Sequence, residues 1–401
     1  MPECRSIDMV NTLKRLLDKK EKLVVGLISG TSRDGIDAAL VRIIGSGLTT
    51  KIELLNFVCV PYGEEIKRGL DELTTGSSPG DISKLNFVIG EAFAEAALRV
   101  ISAAGIENDR VDMIGSHGQT VYHNPPSYHN GTPSTLQLGE LDVISERTGI
   151  TAIGDFRTRD VAAGGEGAPL VPYVDYMIYH KTGEVRIAQN IGGIANATVI
   201  TELMDDVVAF DTGPGNMLMD RVISIATGGE KGFDEDGVYA SQGAVNKKLL
   251  KKLLSQPYYS QPPPKSTGEE LFGRGRAVEL YSLVVKGYIS LSDLIATLLE
   301  LTVASISYSY QKFIFPVWEI SEIIFSGGGC RNPVLMSRLK QELKSIKFST
   351  SDDYGIPSDA KEAVAFAILA NELVSGNPGN LTRVTGASHK LPLGKISLGR
   401  L

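Results

Sequence analysis

An aspartate that ends an apolar strand just before a Gly-Pro-Gly turn is the group in this sequence best placed to take a proton. It is Asp211, in Val208-Ala209-Phe210-Asp211-Thr212-Gly213-Pro214-Gly215-Asn216. In α/β proteins the ends of strands are where catalytic groups collect, and a carboxylate there can serve as general base. It can equally cap the helix that the next residues begin. The residues alone leave both readings open.

Three glycine-punctuated strand–turn segments point to the chemistry that such a base would assist. They are Gly30-Thr31-Ser32-Arg33-Asp34-Gly35-Ile36-Asp37 after the apolar run 23–28, Asn190-Ile191-Gly192-Gly193, and Ser326-Gly327-Gly328-Gly329 after 323–325. Glycine lets backbone approach a ligand closely, and successive N–H groups in such a turn form a concavity that holds anions. Two such turns can grip the phosphates of one nucleotide and a third its base, which predicts phosphoryl transfer. In the first turn the hydroxyls of Thr31 and Ser32 suit phosphate, and Asp34 suits a hydrated Mg²⁺. The same turn also reads as a plain hairpin built on Asp34-Gly35. It is not a Walker A loop, because no GxxxxGK[ST] is present.

Two further segments follow strands. In Ser116-His117-Gly118-Gln119, His117 is either a substrate ligand or a buried, satisfied histidine. Residues 154–169 pack charge and glycine together, with Arg157, Arg159 and Asp160 ahead of Gly164-Gly165-Glu166-Gly167. The arginines suit a carboxylate or phosphate through bidentate bonds, and an Asp–Arg ion-pair loop is the plainer alternative. The remaining histidines lack ligand spacing, and Cys4, Cys59 and Cys330 form no metal motif, so no metal ligand set is legible.

The elements that must position these groups alternate between strands and helices, which indicates α/β architecture. The pattern divides into an extension over 1–22, a first half over 23–184 and a second over 185–401, whose last segment has the option of packing back on the first. The apolar periodicity predicts helices over 80–104, 139–149, 237–255, 277–313, 332–346 and 358–374. It predicts a strand over 111–115 and an irregular Pro-rich loop over 256–273. The 401 residues carry a formal net charge of −7. That gives no general attraction for nucleic acid or an anionic membrane. Sparse, odd cysteine usage fits a reducing compartment, so a cytoplasmic location is expected.

Taken in order, these motifs resemble the 1,6-anhydro-N-acetylmuramic acid kinase family. The resemblance runs through Gly-Thr-Ser-x-Asp-Gly at 30–35, Gly-Ser-His-Gly-Gln-Thr at 115–120, Gly-Asp-Phe-Arg at 154–157 and Asp-Val-Ala-Ala-Gly-Gly-x-Gly-Ala-Pro-Leu-Val-Pro at 160–172. It continues with Asn-Ile-Gly-Gly at 190–193, Phe-Asp-x-Gly-Pro-Gly-Asn at 210–216, Phe-Asp-x-Asp-Gly at 233–237 and Pro-Lys-Ser-Thr-Gly at 264–268. It implies an α/β fold of two RNase-H-like halves around a central cleft, the actin/hexokinase/heat-shock-chaperone ATPase fold. It further implies ATP and Mg²⁺, an amino-sugar substrate and Asp211 as catalytic base. Residues 30–37, Asn190, Gly192, Gly193 and Gly327–Gly329 would hold the nucleotide. His117, Gln119, Arg157, Arg159, Asp160, Gly213, Gly215, Asn216 and Glu362 would line the sugar site, and a homodimer is an option. Position 33 is Arg33 where the family usually has Leu. A conventional sugar or carboxylate kinase and a nucleotide-gated binding protein are the alternatives on the same fold.

Overall fold

The computed structural model describes residues 9–30 and 33–400. Thr31 and Ser32, expected in the first phosphate turn, lie outside the described residues, as do 1–8 of the extension. The chain forms two compact units, residues 1–177 with 355–401 and residues 178–354.

The first unit is built on β1 (Glu21–Ser29), β2 (Gly35–Ile44), β3 (Lys51–Pro61), β4 (Met113–Asn124), β5 (Ser134–Leu138) and β6 (Ala152–Gly154). β1, β2 and β3 pair antiparallel, while β4 joins β1 and β6 joins β4 in parallel, giving the order β3-β2-β1-β4-β6. The second unit holds β7 (Val185–Ile191), β8 (Ile194–Ile200), β9 (Val208–Pro214), β10 (Ile320–Ser326) and β11 (Lys347–Thr350). Its order is β9-β8-β7-β10-β11, antiparallel for the first three strands and parallel for the last two. Both sheets therefore repeat one RNase-H-like plan in the same order and directions, as the actin/hexokinase ATPase fold requires. A last strand, β12 (Lys395–Ser397), pairs antiparallel with β6, so the C-terminal segment completes the first sheet. The units meet in sequence at 177/178 and 354/355, beside the expected division at 184/185 and with the C-terminal segment in the first unit.

Parallel strands covered on both faces read as near-continuous apolar runs, and β1 is buried from Lys22 to Ser29. Val25 and Leu27 face the helix Pro79–Ala103 through Phe93 and Ile89. That helix starts at a capping box, with Ser78 Oγ accepting from Asp81 N–H and Asp81 Oδ2 from Ser78 N–H, two orphan donors satisfied at once. On the other face, a Cβ at Gly26 would lie 1.8 Å from the Ala363 carbonyl oxygen, and one at Gly115 2.2 Å from that of Phe366. These glycines let the helix Lys361–Val374 rest directly on β1 and β4. Gly26 thus serves helix packing and not the approach of a ligand.

Several expected elements differ. β1 starts inside the supposed extension, and the helix Met9–Asp18 packs on the first unit through Leu16, 1% exposed. Lys19 pairs with Asp112 at 2.7 Å. β4 runs on through His117–Gln119 instead of opening into a loop, with Gly118 at φ 75 against the Leu138 carbonyl. The expected helix 237–255 breaks at Gly243, where a Cβ would strike the Ser292 backbone. The tract 277–313 breaks at Gly287, φ 70, before Ser290 caps the helix Leu291–Ser309. Residues 291–314 are long and apolar enough to cross a membrane, yet they form the buried centre of the second unit's core.

Gly26→Ala places a methyl against backbone that has no rotamer to move to. It should cost about 3 kcal/mol, the upper part of the usual overpacking range, read as a lower urea midpoint with an unchanged slope.

Candidate active site

In the second unit, β9 delivers Asp211 at the edge of the sheet. It stands opposite Asn196 of β8 in the register, with its own backbone groups bonded on the outer side. Its N–H donates to the Lys265 carbonyl at 3.0 Å, and its carbonyl accepts from the Tyr258 hydroxyl at 2.6 Å. Its carboxylate accepts the Thr267 N–H on Oδ2 at 2.9 Å. Burial pushes the carboxyl up to about 6, opposed by the Thr267 N–H and by Lys265 and reinforced by Glu270. A carboxyl poised near neutrality suits a general base. The helix-cap alternative does not hold. The helix Met217–Ala226 begins at Asn216, and the Asn216 and Met217 N–H groups donate to the carbonyls of Gly192 and Gly193 at 2.8 and 3.1 Å.

Those bonds join the β7–β8 turn to the Asp211 strand. The third turn joins them as well. Gly327, at φ 87, packs where a Cβ would meet the Ile191 carbonyl at 2.7 Å, and a Cβ at Gly329 would meet the Ile191 side chain at 2.4 Å. Asn190, Gly192, Gly193 and Gly327–Gly329 are therefore assembled in one unit beside Gly213–Asn216. Gly213 and Gly215 lack side chains for the protein's own reasons. A Cβ would meet Ser305 Oγ at 2.7 Å in the first and the Gly192 carbonyl at 2.1 Å in the second. Gly192, Gly193 and Gly328 are different. Added Cβ atoms would meet nothing closer than 3.4 Å, and nothing at all at Gly328. No protein contact explains the missing side chains there.

In the first unit, β1 and β2 bracket the other glycine turn. Ser29 Oγ lies 2.7 Å from both the Gly35 carbonyl and Gln119 Oε1, and Gln119 Nε2 donates to the Gly30 carbonyl at 3.2 Å. Gln119, 1% exposed, pins the turn and presents nothing outward. Arg33 turns its guanidinium away to the Leu70 carbonyl, 3.4 Å. Gly35 packs against the Val60 carbonyl and Ile36 is fully buried. Asp34 is exposed, and Asp37 is half-buried on β2. Burial, then the charges of Glu362 and Asp34, hold the Asp37 carboxyl above its ordinary value, while Cys59 pulls it back.

His117 resolves to the buried, satisfied alternative. Arg157 Nε donates to its Nε2 at 2.9 Å, which leaves Nδ1 to donate to the Gly118 carbonyl at 2.9 Å. Burial, then Arg157, holds it neutral, well below the usual histidine range. Asp160 likewise faces inward. It is 0% exposed, and it accepts from Gly167 N–H, Asn380 and Thr385 at 2.8 to 2.9 Å. It clamps the 160–167 loop to the Asn380 and Thr385 side chains. Arg159 donates to the Pro392 carbonyl at 3.0 Å. Arg157 is held by His117 and the Gly167 carbonyl, 2.8 Å, and burial brings its guanidinium down to about 10 against the pull of Glu362 and Asp160. Glu362 is exposed at the start of its helix. Of the residues expected to line the sugar site in this unit, Arg159 and Glu362 are exposed and Arg157 is partly so. What sequence reading missed is the group around Asp211: Tyr258, Lys265, Thr267 and Glu270. The Pro-Lys-Ser-Thr-Gly run marked the place without giving a role.

The sequence profile described as anhydro-N-acetylmuramic acid kinase matches residues 22–399. The chain belongs to the anhydro-N-acetylmuramic acid kinase family. It is 48% identical over 397 residues to the anhydro-N-acetylmuramic acid kinase of Caldanaerobacter subterraneus subsp. tengcongensis, covering 97% of this chain and 100% of that one. It is 44% identical to that of Bacillus thuringiensis subsp. konkukian, over 93% and 98% of the two. Membership makes the chain a kinase, a phosphotransferase with an alcohol acceptor. Among solved structures, the Acidaminococcus fermentans (R)-2-hydroxyglutaryl-CoA dehydratase component A aligns over 88% of this chain and 99% of its own at 11% identity and TM-score 0.45. The fold assignment rests on the repeated sheet order, not on that alignment.

Two outcomes are expected. Gly193→Ala should leave the melting temperature unchanged, since only the flexible end of Met217 lies within 3.4 Å, yet weaken nucleotide at least about tenfold by blocking backbone approach. Unchanged affinity in calorimetry would remove this turn from the phosphate site. For Asp211, a folded value near 6 against an ordinary 3.8 means the native state favours the protonated form. That stability is present below pH 4 and lost as pH rises through 6. Asp211→Asn should therefore melt higher than wild type at pH 7, with the gap closing toward pH 4.

Proposed function

We propose that this chain is an ATP-dependent kinase that hydrolytically opens 1,6-anhydro-N-acetylmuramic acid and phosphorylates O6. The products are N-acetylmuramic acid 6-phosphate and ADP, in cytoplasmic recycling of cell-wall fragments. The observation that carries the reading is Asp211, a half-buried carboxyl poised near 6 in the unit whose Gly192–Gly193 turn is open for reasons the protein itself does not supply. Family membership supplies the substrate class.

In the proposed reaction Asp211 takes a proton from water, and the water oxygen forms a bond to C1. The bond from C1 to the bridging oxygen breaks, and that oxygen, remaining on C6, takes the γ-phosphoryl group as ADP leaves. Glycosidases use two carboxylates for such a cleavage. One suffices here, because the departing oxygen is captured by phosphorus. Asn190, Gly192, Gly193 and Gly327–Gly329, assembled within the second unit, would hold the nucleotide. Arg157, with its orientation fixed by His117, is the candidate partner of the sugar's lactyl carboxylate.

Mg²⁺ fits the first unit's donor set. Asp37 is held among the like charges of Asp34 and Glu362, and a cation relieves that repulsion. Mg²⁺ is bound through one or two carboxylates together with phosphate oxygens and water, so Asp34 and Asp37 would serve. When bound, it neutralises charge on the phosphates.

A conventional kinase would phosphorylate a free hydroxyl and leave a ring bridge intact. Turnover in ¹⁸O-water separates the two. Label should appear in the C1 hydroxyl of the product and not in the phosphate ester, assigned by mass spectrometry of fragments. Unlabelled product incubated in parallel controls for anomeric exchange. Label in the ester, or a phosphorylated sugar that still holds its bridge, would overturn the mechanism.

A further inference from the structure

Lys265 is a buried lysine, 8% exposed, that no step above uses. Its ammonium donates to the carbonyls of Tyr258 and Tyr259 at 3.3 and 3.1 Å. It lies 4.7 Å from the ring centre of Tyr258 and 4.9 Å from that of Phe313. Its backbone carbonyl accepts the Asp211 N–H. Four contacts thus converge on one side chain in the segment that covers Asp211.

We propose that Lys265 is the positioning residue for the base: it fixes the 258–268 segment against β9 and carries a positive charge into the segment that covers Asp211. This rests on the proposed role of Asp211. The physical argument has two parts. The ammonium ties the short helix Pro257–Ser260 to the strand end, so that the Tyr258 hydroxyl reaches the Asp211 carbonyl and the Thr267 N–H reaches its carboxylate. Its charge then opposes the burial and the Glu270 charge that push Asp211 toward protonation. Glu270 is itself held by Thr267 Oγ1 and Gly268 N–H at 3.1 and 2.6 Å, so it cannot swing away. The charged groups that act on Asp211 are therefore Lys265 and Glu270, in opposite directions, and the Tyr258 hydroxyl donates to its carbonyl. Burial, opposed by Asp211, brings Lys265 itself down to about 8, so its charge is present throughout the range in which Asp211 titrates.

Lys265→Met keeps the apolar stem beneath the rings and removes the charge. The acid limb of kcat/KM should move up by about one unit, the low end of the effect of a close opposite charge. The rate relative to wild type should then fall about fivefold at pH 6 and recover toward pH 8, and KM for ATP should hold. Lys265→Arg keeps the charge and should return the limb to its wild-type position. A merely structural role would lower the rate equally at every pH. The direct reading is the Asp211 carboxyl titration by carbon-13 NMR in the ligand-free protein, which does not require turnover. An Asp211 midpoint in Lys265→Met that coincides with wild type would overturn the proposal. Wild-type protein that does not turn over the anhydro sugar would instead count against the proposed function, and the NMR titration would still test Lys265.

Discussion

β9 is the outer strand of the second sheet, and an outer strand presents backbone groups that must find partners. At Asp211 both groups point outward, and the segment from Tyr258 to Thr267 supplies the partners. Covering that edge decides most of what surrounds the base. The same segment carries the N–H that the Asp211 carboxylate accepts, the ammonium that attracts it and the phenol on its carbonyl. Structural satisfaction of an edge and tuning of a carboxyl are one arrangement here. The tuning has a cost in stability, because a carboxylate kept where water is scarce is less favourable folded than exposed. The Thr267 N–H and Lys265 offset part of it, and what remains is the displacement that poises the carboxyl near neutrality.

The first unit reaches a fixed electrostatic arrangement by a different route. Arg157 is oriented by a histidine whose own proton is committed to a backbone carbonyl. His117 lies tilted against Phe366 with ring centres 4.5 Å apart and stays neutral, so the guanidinium keeps its direction across physiological pH. Asp160 does comparable work one turn on: Oδ2 accepts from the Gly167 N–H of the loop that brings the Gly167 carbonyl to Arg157, and Oδ1 accepts from Asn380 and Thr385. Few side chains face outward, and many inward ones hold them there.

The glycine turns and the strand-ending aspartate were legible because their signals are local: an apolar run, a turn and a chemistry-bearing residue within ten positions. The alternating elements gave the fold class for the same reason. What was not legible depends on pairing between distant segments. His117, Gln119 and Asp160 look like ligands in a sequence because polar residues among glycines usually are exposed. Their burial follows from β4 continuing past Gly118 and from Asn380 and Thr385 arriving from the far end of the chain. Lys265 was visible but mute, since its role exists only through the neighbouring strand. The helix breaks at Gly243 and Gly287 were overridden by apolar period, which reports faces and not interruptions.

The glycines themselves separate into two kinds by one physical criterion. Gly26, Gly115, Gly213, Gly215, Gly327 and Gly329 face protein atoms that a Cβ would overlap, so the fold alone accounts for them. Gly192, Gly193 and Gly328 face no such atoms and, unlike Gly327, do not sit at positive φ. A side chain there would be tolerated by the folded chain. Other glycines, such as Gly63, Gly232 and Gly275, are as open, so openness alone assigns no role and the position of the turn has to be weighed with it. Open glycines adjoining the carbonyls that start the Met217–Ala226 helix lie beside a helix N-terminus, where backbone N–H groups and the helix dipole favour an anion. Of the three turns in the sequence, the one at 191–193 is tied through the Gly192 and Gly193 carbonyls to residues 215–217, directly after the strand that carries Asp211.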